Sequence, residues 1–556
     1  MSKMVNLAGH HHPLVLSEQY LPSCSDCDGS HSFDKQIYSC EICDKKWHIG
    51  CMPPTTEINH PCHMNHALKL LMDGAPTYTD GKCHLCRDEL KNVVYHCFTC
   101  NFTLDVKCSL SPKIVTFEES KCHNHPLTLM ARQVSFFCNV CGTHGDRNPY
   151  VCLLCSFMVH EDCIDRPHTI NINRHDHRIS HTYSLTFGNR VCRVCRLNID
   201  WMYGAYSCSR CPDFVVHSKC AIRDDVWDGI ELQGTPEEED DAPMFKVIEE
   251  NVIIHQKHPS HSLRLTEDGV VRDEGIRCQL CERSVYSEKS YSCMECDYIL
   301  HETCAYLSYK KRHGLCRYPI LLCRGVDDDG QYFRCRACKQ LSTGYMYKFL
   351  EGYSRIDLRC ASVDWSCDHE SHPHTLFLTT LDEDTCGGCD NKDYVLRCVE
   401  CKFNLDYKCA TYPKMIKHRC DDHPLVLSFG DKEQHGTYWC TVCETKADPK
   451  SWLYECAECG IVCHIQCVLG DFANVKPGLS TKEDGTIHGV IHNNDVTRPH
   501  CRRCGIRCLV PFIYRVSEHY FCSYPCLEPK FEDIDAGEKL AREILSCYEK
   551  AVRLLL

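Results

Sequence analysis

A C-x2-C pair that returns on a fixed grammar constrains this chain more than any other feature. Pairs open at Cys24, Cys83, Cys138, Cys192, Cys278, Cys335, Cys386 and Cys440, at intervals of 51 to 59 residues with one exception of 86. In seven of these eight units, 8 to 12 residues separate the first pair from a second C-x2-C. Four residues follow (five in the fourth unit), then a His or Asp, two residues and a last Cys. Self-similarity at one period marks an array of small repeated modules.

Six positions recur per unit: Cys24, Cys27, Cys40, Cys43, His48 and Cys51 in the first; Cys83, Cys86, Cys97, Cys100, Asp105 and Cys108 in the second; Cys138, Cys141, Cys152, Cys155, His160 and Cys163 in the third; Cys192, Cys195, Cys208, Cys211, His217 and Cys220 in the fourth. The fifth has Cys278, Cys281, Cys293, Cys296, His301 and Cys304. The seventh has Cys386, Cys389, Cys398, Cys401, Asp406 and Cys409, and the eighth Cys440, Cys443, Cys456, Cys459, His464 and Cys467. A leading histidine, often in His-Pro-Leu-x-Leu, opens each: His12, His66, His125, His181, His261, His372 and His423. The modules read as 10–52, 60–110, 121–166, 175–222, 255–307, 313–362, 367–411 and 418–470. The acidic stretch 223–254, around Glu237 to Asp241, reads as a linker between two arrays of four.

Units of about 50 residues bury too little apolar surface to fold unaided, so cross-links must supply stability. The chain has 51 Cys in 556 residues. It shows neither a signal-peptide core nor an apolar run of ~20 residues, which points to cytoplasm or nucleus, where thiols stay reduced. Metal is therefore preferred to disulfides, and zinc to other metals, because a C-x2-C turn aims two thiolates at one point. The net charge of −14 argues against a general nucleic-acid or anionic-membrane binder.

Six positions plus a leading histidine exceed one tetrahedron, so each module is expected to hold two zincs. The sixth unit shows how ligands divide. It keeps Cys335, Cys338, Asp357 and Cys360, but has Phe349 and Gly352 at the second pair and Tyr318 for the leading histidine. Its losses coincide if one ion uses the first pair, the His/Asp and the last Cys, and the other uses the leading histidine and the second pair. That is an interleaved cross-brace. For the fourth ligand of the second ion, the reading prefers a residue three before the leading histidine: His63, Cys122, His258, His369 and Cys420, with Leu315 in the sixth unit. The rival is a histidine nine after the last Cys, namely His60, His313 and His418. Asp105, Asp357 and Asp406 replace the usual His and are harder ligands that predict weaker sites; the alternative leaves them as bystanders beside water.

Aromatics recur two before the second pair (Tyr38, Tyr95, Tyr150, Tyr206, Tyr291, Tyr454) and two after it (Phe102, Phe157, Tyr298, Phe403). They read as each module's small core rather than a stacking surface for bases or methyl-lysine. Residues 471–500 read as a linker. In 501–528, Cys501, Cys504, Cys522 and Cys526 form a different, shorter zinc cluster, with Cys508 and His519 as alternates. From 531 to 556, Ile534, Leu540, Ile544, Tyr548, Val552 and Leu555 trace one stripe of an amphipathic helix that either caps the last module or mediates self-association.

The run His-Pro-Leu, C-x2-C, Tyr-x-C-x2-C-x-Phe-x-Leu-His-x2-C-Ala closely resembles the divergent C1 domain of cysteine/histidine-rich plant proteins, over about residues 10–470. CSRCPDFVVHSKCA and CMECDYILHETCA carry it best. The resemblance implies a tandem array of small, β-rich α+β zinc fingers and a role in intracellular signalling. Lipid-binding C1 domains carry a Pro- and Gly-containing loop with apolar tips; DGSHSFDKQIYS and ETKADPKSWLYE lack it, so diacylglycerol and membrane binding are not expected. The expected function is a non-enzymatic scaffold that acts through as yet unidentified protein partners, with lipid binding as the lesser alternative. Two competitors stand beside it. Trp439-Cys440-x2-Cys443 superficially resembles a thioredoxin motif, but no βαβ pattern surrounds it. The C-x2-C to H-x2-C run resembles part of a PHD or RING finger, but those close with a further C-x2-C inside the same module.

Overall fold

The computed structural model describes residues 4–6, 10–18, 36–43, 45–48, 55–110, 113–183, 190–237, 243–266, 271–324, 332–350, 354–379, 385–389, 395–430, 436–478, 480–483, 486–494 and 497–527, with single residues 185, 188 and 352. Cys24, Cys27, Cys51, most of the acidic run and all of 531–556, including the expected helix, lie outside the described residues.

One plan repeats. In module 2, Glu57–His60, His63–Leu71, Val94–Cys97 and Phe102–Asp105 form an antiparallel sheet in chain order, and the helix Val106–Leu110 follows. Modules 6, 7 and 8 repeat the order and end in Leu358–Ser362, Tyr407–Ala410 and Ile465–Leu469. The strand after the leading histidine is the Leu-x-Leu of the motif, and its alternation is what makes it a strand. Leu425 and Leu427 are buried while Val426 between them is exposed. Two residues before the second pair, Tyr95, Tyr150, Tyr206 and Tyr454 are fully buried. The hydroxyls of Tyr95, Tyr150 and Tyr454 donate to the carbonyls of Thr55, Ile114 and Pro413 at 2.6–2.7 Å. These tyrosines are core.

Two stretches expected as linkers carry strands. Trp227–Glu231 and Phe245–Glu249 fall in 223–254 and Val252–His255 begins there, and the last two extend the sheet of module 5 to five strands. Ser480–Glu483 and Thr486–His492 fall in 471–500 and open a sheet completed by Phe512–Val516 and His519–Phe521. The helix Tyr524–Leu527 follows, so the C-terminal cluster repeats the plan of the modules before it.

The chain divides into two compact units, one mainly residues 1–170 and 179–221, the other mainly 234–556. In the first, the cores of modules 2 and 3 join: Leu68, Tyr95 and Leu104 share a cluster with Leu127, Tyr150 and Val159. In the second, one apolar core runs from Met244 to Leu469 through modules 5 to 8. Non-neighbours touch there. Arg283 of module 5 donates to the carbonyl of Thr411 in module 7 (3.2 Å), and Lys417 of module 8 pairs with Asp273 of module 5 (3.8 Å). Buried Arg277 donates to the carbonyls of Glu282 and Val475 and lies 4.9 Å from the Phe512 ring centroid, which ties the C-terminal sheet to module 5. No helix among the described residues is long and apolar enough to cross a membrane.

Candidate metal centres

The first C-x2-C pair sits in a knuckle that the backbone builds. The residue after its second Cys is left-handed in seven cases: Arg87, Gly142, Arg196, Glu282, Lys339, Glu444 and Gly505, with φ between 58° and 72°. That turn lets each of these N–H groups reach the carbonyl of the first Cys, at 2.8–3.1 Å. Five of the seven carry a side chain in a region that disfavours one. Together these bonds hold both sulfurs on one side of the loop.

Around the first pair the His or Asp and the last Cys close in. In module 3, Cys138, Cys141, His160 and Cys163 form one group, with Cys141 Sγ 3.5 Å and Cys163 Sγ 4.0 Å from His160 Nδ1. His217, His301 and His464 present Nδ1 to Cys195, Cys281 and Cys443 at 3.3 Å, with Cys220, Cys304 and Cys467 beyond. The aspartates stand in the same place: Cys86, Cys338 and Cys389 lie 2.9–3.1 Å from an oxygen of Asp105, Asp357 and Asp406. The other carboxylate oxygen caps the following helix by accepting the N–H of Cys108, Cys360 or Cys409. Burial opposes charge on all three. Arg283 and hydrogen bonds hold Asp357 below the usual carboxylate range, whereas burial lifts Asp406 above it. Of the first set of module 1, only His48 is described.

The second pair takes two donors from the strand entrance. Modules 2 and 5 use His63 with His66 and His258 with His261, three residues apart, facing Cys97–Cys100 and Cys293–Cys296. Elsewhere the spacing is two, and four expectations are corrected. Module 3 uses His123, not Cys122, with His125: His123 Nε2 is 2.9 Å and His125 Nδ1 3.5 Å from Cys155 Sγ. Cys122 Sγ lies instead near Ser120 Oγ. Module 7 uses His372 and His374, which face Cys401 (3.1 Å) and Cys398 (3.6 Å), while His369 stacks on Trp452. Module 8 uses Asp421 with His423 beside Cys456 and Cys459, and Cys420 turns away to Cys463. In module 4, His181 makes hydrogen bonds with the carbonyl of Val140 and Ser218 Oγ instead. His175 and His177 hold the same edge-on ring geometry, 5.1 Å and 81°, as His123–His125 and His372–His374. Module 1 adds His10 to His12, Cys40 and Cys43.

The two spacings follow from hairpin length. Modules 2 and 5 enter through a tight turn in which His60 pairs with His63 and His255 with His258. Two of the rival histidines, His60 and His313, are the clasps of such entrances, whereas His418 accepts the N–H of Cys420 at the longer entrance of module 8. His60 and His313 make hydrogen bonds through Nε2 with the carbonyls of Cys108 and Val363, and accept the N–H of Cys62 and Leu315 at Nδ1.

The sequence reading missed two supports of the second set. Phe102, Phe157, Tyr298 and Phe403 lie flat on the upstream histidine, centroids 4.2–4.7 Å apart and planes within 10°. They fix that ring as well as fill a core. In modules 5, 7 and 8 the glutamate of C-x-E-C faces the far nitrogen of the histidine whose Nδ1 meets the thiols: His261–Glu295 at 3.5 Å, His374–Glu400 at 3.3 Å and His423–Glu458 at 3.2 Å. Such carboxylates orient a metal-binding imidazole and raise its basicity.

Thiols and imidazoles at these separations suit zinc. With Zn–S near 2.3 Å, a tetrahedron has S···S edges of about 3.8 Å. In the C-terminal cluster Cys504–Cys522 and Cys522–Cys526 are 3.7 and 3.8 Å apart, with Cys501 beside Cys526. Cys508 is buried next to Cys522. Among the described residues module 6 shows no second set: Phe349 is buried where a Cys belongs, under the guanidinium of Arg336.

A family model described as the C1 domain matches residues 61–109, 121–164, 173–221, 256–305 and 418–468, and one described as C1 domain-like, C-terminal, matches 488–527. Together they take in about half of the chain. The chain belongs to the C1 domain family. Its C1 modules 1, 6 and 7 fall outside the matched ranges, and 6 and 7 nevertheless share the sheet order of module 8. Searches of curated proteins and of solved structures each found no match. The chain is a multi-domain zinc-binding protein built of tandem C1 modules.

Proposed function

We propose that this C1 protein is a non-enzymatic scaffold of intracellular signal transduction, resident in cytoplasm or nucleus, that holds protein partners on a zinc-built frame. The observation that carries the reading is that each full set offers four protein donors, two to four of them thiols. Catalytic zinc sites keep a position open for water or substrate, whereas structural ones are closed. Repetition of one closed site supports avidity over chemistry. The knuckles of the second pairs also present apolar side chains: Leu153, Leu154 and Met294 are at least three-quarters exposed, and Phe98 and Val399 more than half. Cys440 and Cys443, the thioredoxin-like pair, are engaged with His464 and Cys467.

Cross-linking mass spectrometry on the zinc-loaded full chain in cell extract tests this reading. Reproducible protein partners, lost when Leu153, Leu154 and Met294 become serine, are expected. Turnover of insulin disulfides or autoubiquitination by the zinc-loaded protein would overturn it.

A further inference from the structure

Module 8 contains two cysteines that no metal set uses. The residue before the first-set His or Asp is Trp47, Leu104, Val159, Val216, Leu300, Ile356 or Leu405 in the other modules, always buried among apolar side chains. In module 8 it is Cys463, equally buried on the strand Ile461–His464. Opposite stands Cys420, at the strand entrance, with Sγ 3.8 Å from that of Cys463 and partly exposed. Cys463 also reaches the zinc-set thiol of Cys440. Module 3 supplies the contrast within the same chain: Cys122 occupies the position of Cys420, but Val159 stands where Cys463 would, and Cys122 Sγ lies near Ser120 Oγ instead.

We propose that Cys420 and Cys463 are a peroxide-oxidisable dithiol, a modification site set against the first metal set of module 8. The proposal rests on the zinc reading, because within module 8 it needs Cys440, Cys443, Cys456, Cys459 and Cys467 engaged by metal, which leaves Cys420 and Cys463 outside both sets. The chemistry balances with hydrogen peroxide as oxidant. The sulfur of Cys420, the exposed partner, attacks one peroxide oxygen; the O–O bond breaks, water leaves and a sulfenic acid forms. The sulfur of Cys463 displaces that hydroxyl as a second water and the S–S bond forms. Two thiols and one peroxide become one disulfide and two waters, and the two electrons come from the sulfurs. Closing from 3.8 Å to a bond length of about 2.05 Å needs only a small shift of the loop at Cys420.

The test exposes the zinc-loaded full chain to a modest excess of hydrogen peroxide, counts bound zinc by native mass spectrometry before and after, and maps disulfides by peptide digestion. A Cys420–Cys463 peptide is expected as the leading cross-link, with the zinc count unchanged and reversal by dithiothreitol. Cys420→Ser and Cys463→Val abolish it, and Cys122→Ser leaves it intact; valine is the residue of modules 3 and 4 at that position, so the second variant keeps the fold. Full zinc without this cross-link, or cross-links among set cysteines with zinc loss, overturns the proposal and spares the zinc reading. The cross-link in a chain that never bound zinc at module 8 overturns the zinc reading and, with it, the proposal as stated.

Discussion

Replacing Glu295, Glu400 and Glu458 together by glutamine probes the glutamate–histidine pairs of modules 5, 7 and 8. Each change keeps size and removes the charge that faces an imidazole nitrogen at 3.2–3.5 Å. Partners of this kind typically change metal affinity 10- to 100-fold. These three carboxylates are 64–74% exposed, which places them at or below the low end, because water screens the interaction. About 1 kcal/mol per site, roughly a fivefold faster metal release, is the expected effect. The assay is competition with a chromophoric chelator on the full chain, following the rate and the number of ions in each phase. Three ions should move to a faster phase. Modules 2, 3 and 4 serve as internal reference, because Phe98-Thr99, Leu153-Leu154 and Ser209-Arg210 supply no carboxylate between their cysteines. Thr99→Glu should correspondingly slow release from module 2. Unchanged release from the triple variant, or faster release only from modules 2 to 4, would falsify the argument.

Native mass spectrometry of the full chain should count about 16 zincs, two for each module but the sixth, one for that and one for the C-terminal cluster; a count near eight refutes the cross-brace. Stability should fall as pH drops from 6.5 to about 4, partly through His313, whose pKa burial pushes down to about 4 from 6.5. The unfolded chain binds that proton across the window and the folded chain does not, so up to about 3 kcal/mol is lost as pH falls. His313→Gln should narrow its stability deficit from the parent across that window, and a constant gap refutes the assignment. Gly344→Ala places a Cβ 2.4 Å from the carbonyl oxygen of Leu280, a backbone atom of the neighbouring module. A loss of about 1–3 kcal/mol in chemical denaturation is expected, and no loss would show that modules 5 and 6 separate.

Ligand chemistry was legible because it is written in residue type and short spacing. The paired losses at Tyr318, Phe349 and Gly352 were enough to divide the donors between two ions. The upstream donor was not. His63 and His258 suggested an offset of three, yet Asp421, His123 and His372 sit at two, since the hairpin at the entrance differs and single-chain spacing does not show which hairpin forms. Flat stacking of Phe157 on His123 is a usable signal, as an aromatic two after the second pair faces the true donor. Strands at Phe245–Glu249 and Thr486–His492 were missed because charged and turn residues around them outweigh short β patterns. The merging of cores in modules 5 to 8 depends on pairings such as Arg283 with Thr411, 128 residues apart, for which no local pattern exists.

That merged interior changes what a repeat is. In modules 5 to 8 the copies have ceased to be interchangeable beads. Excising or duplicating any one of them would strip Leu300, Tyr347, Leu405 and Tyr454 of their neighbours and leave an insoluble face. Gene rearrangements that shuffle single fingers should therefore be selected against within this quartet, and also between modules 2 and 3, whose cores join in the same way.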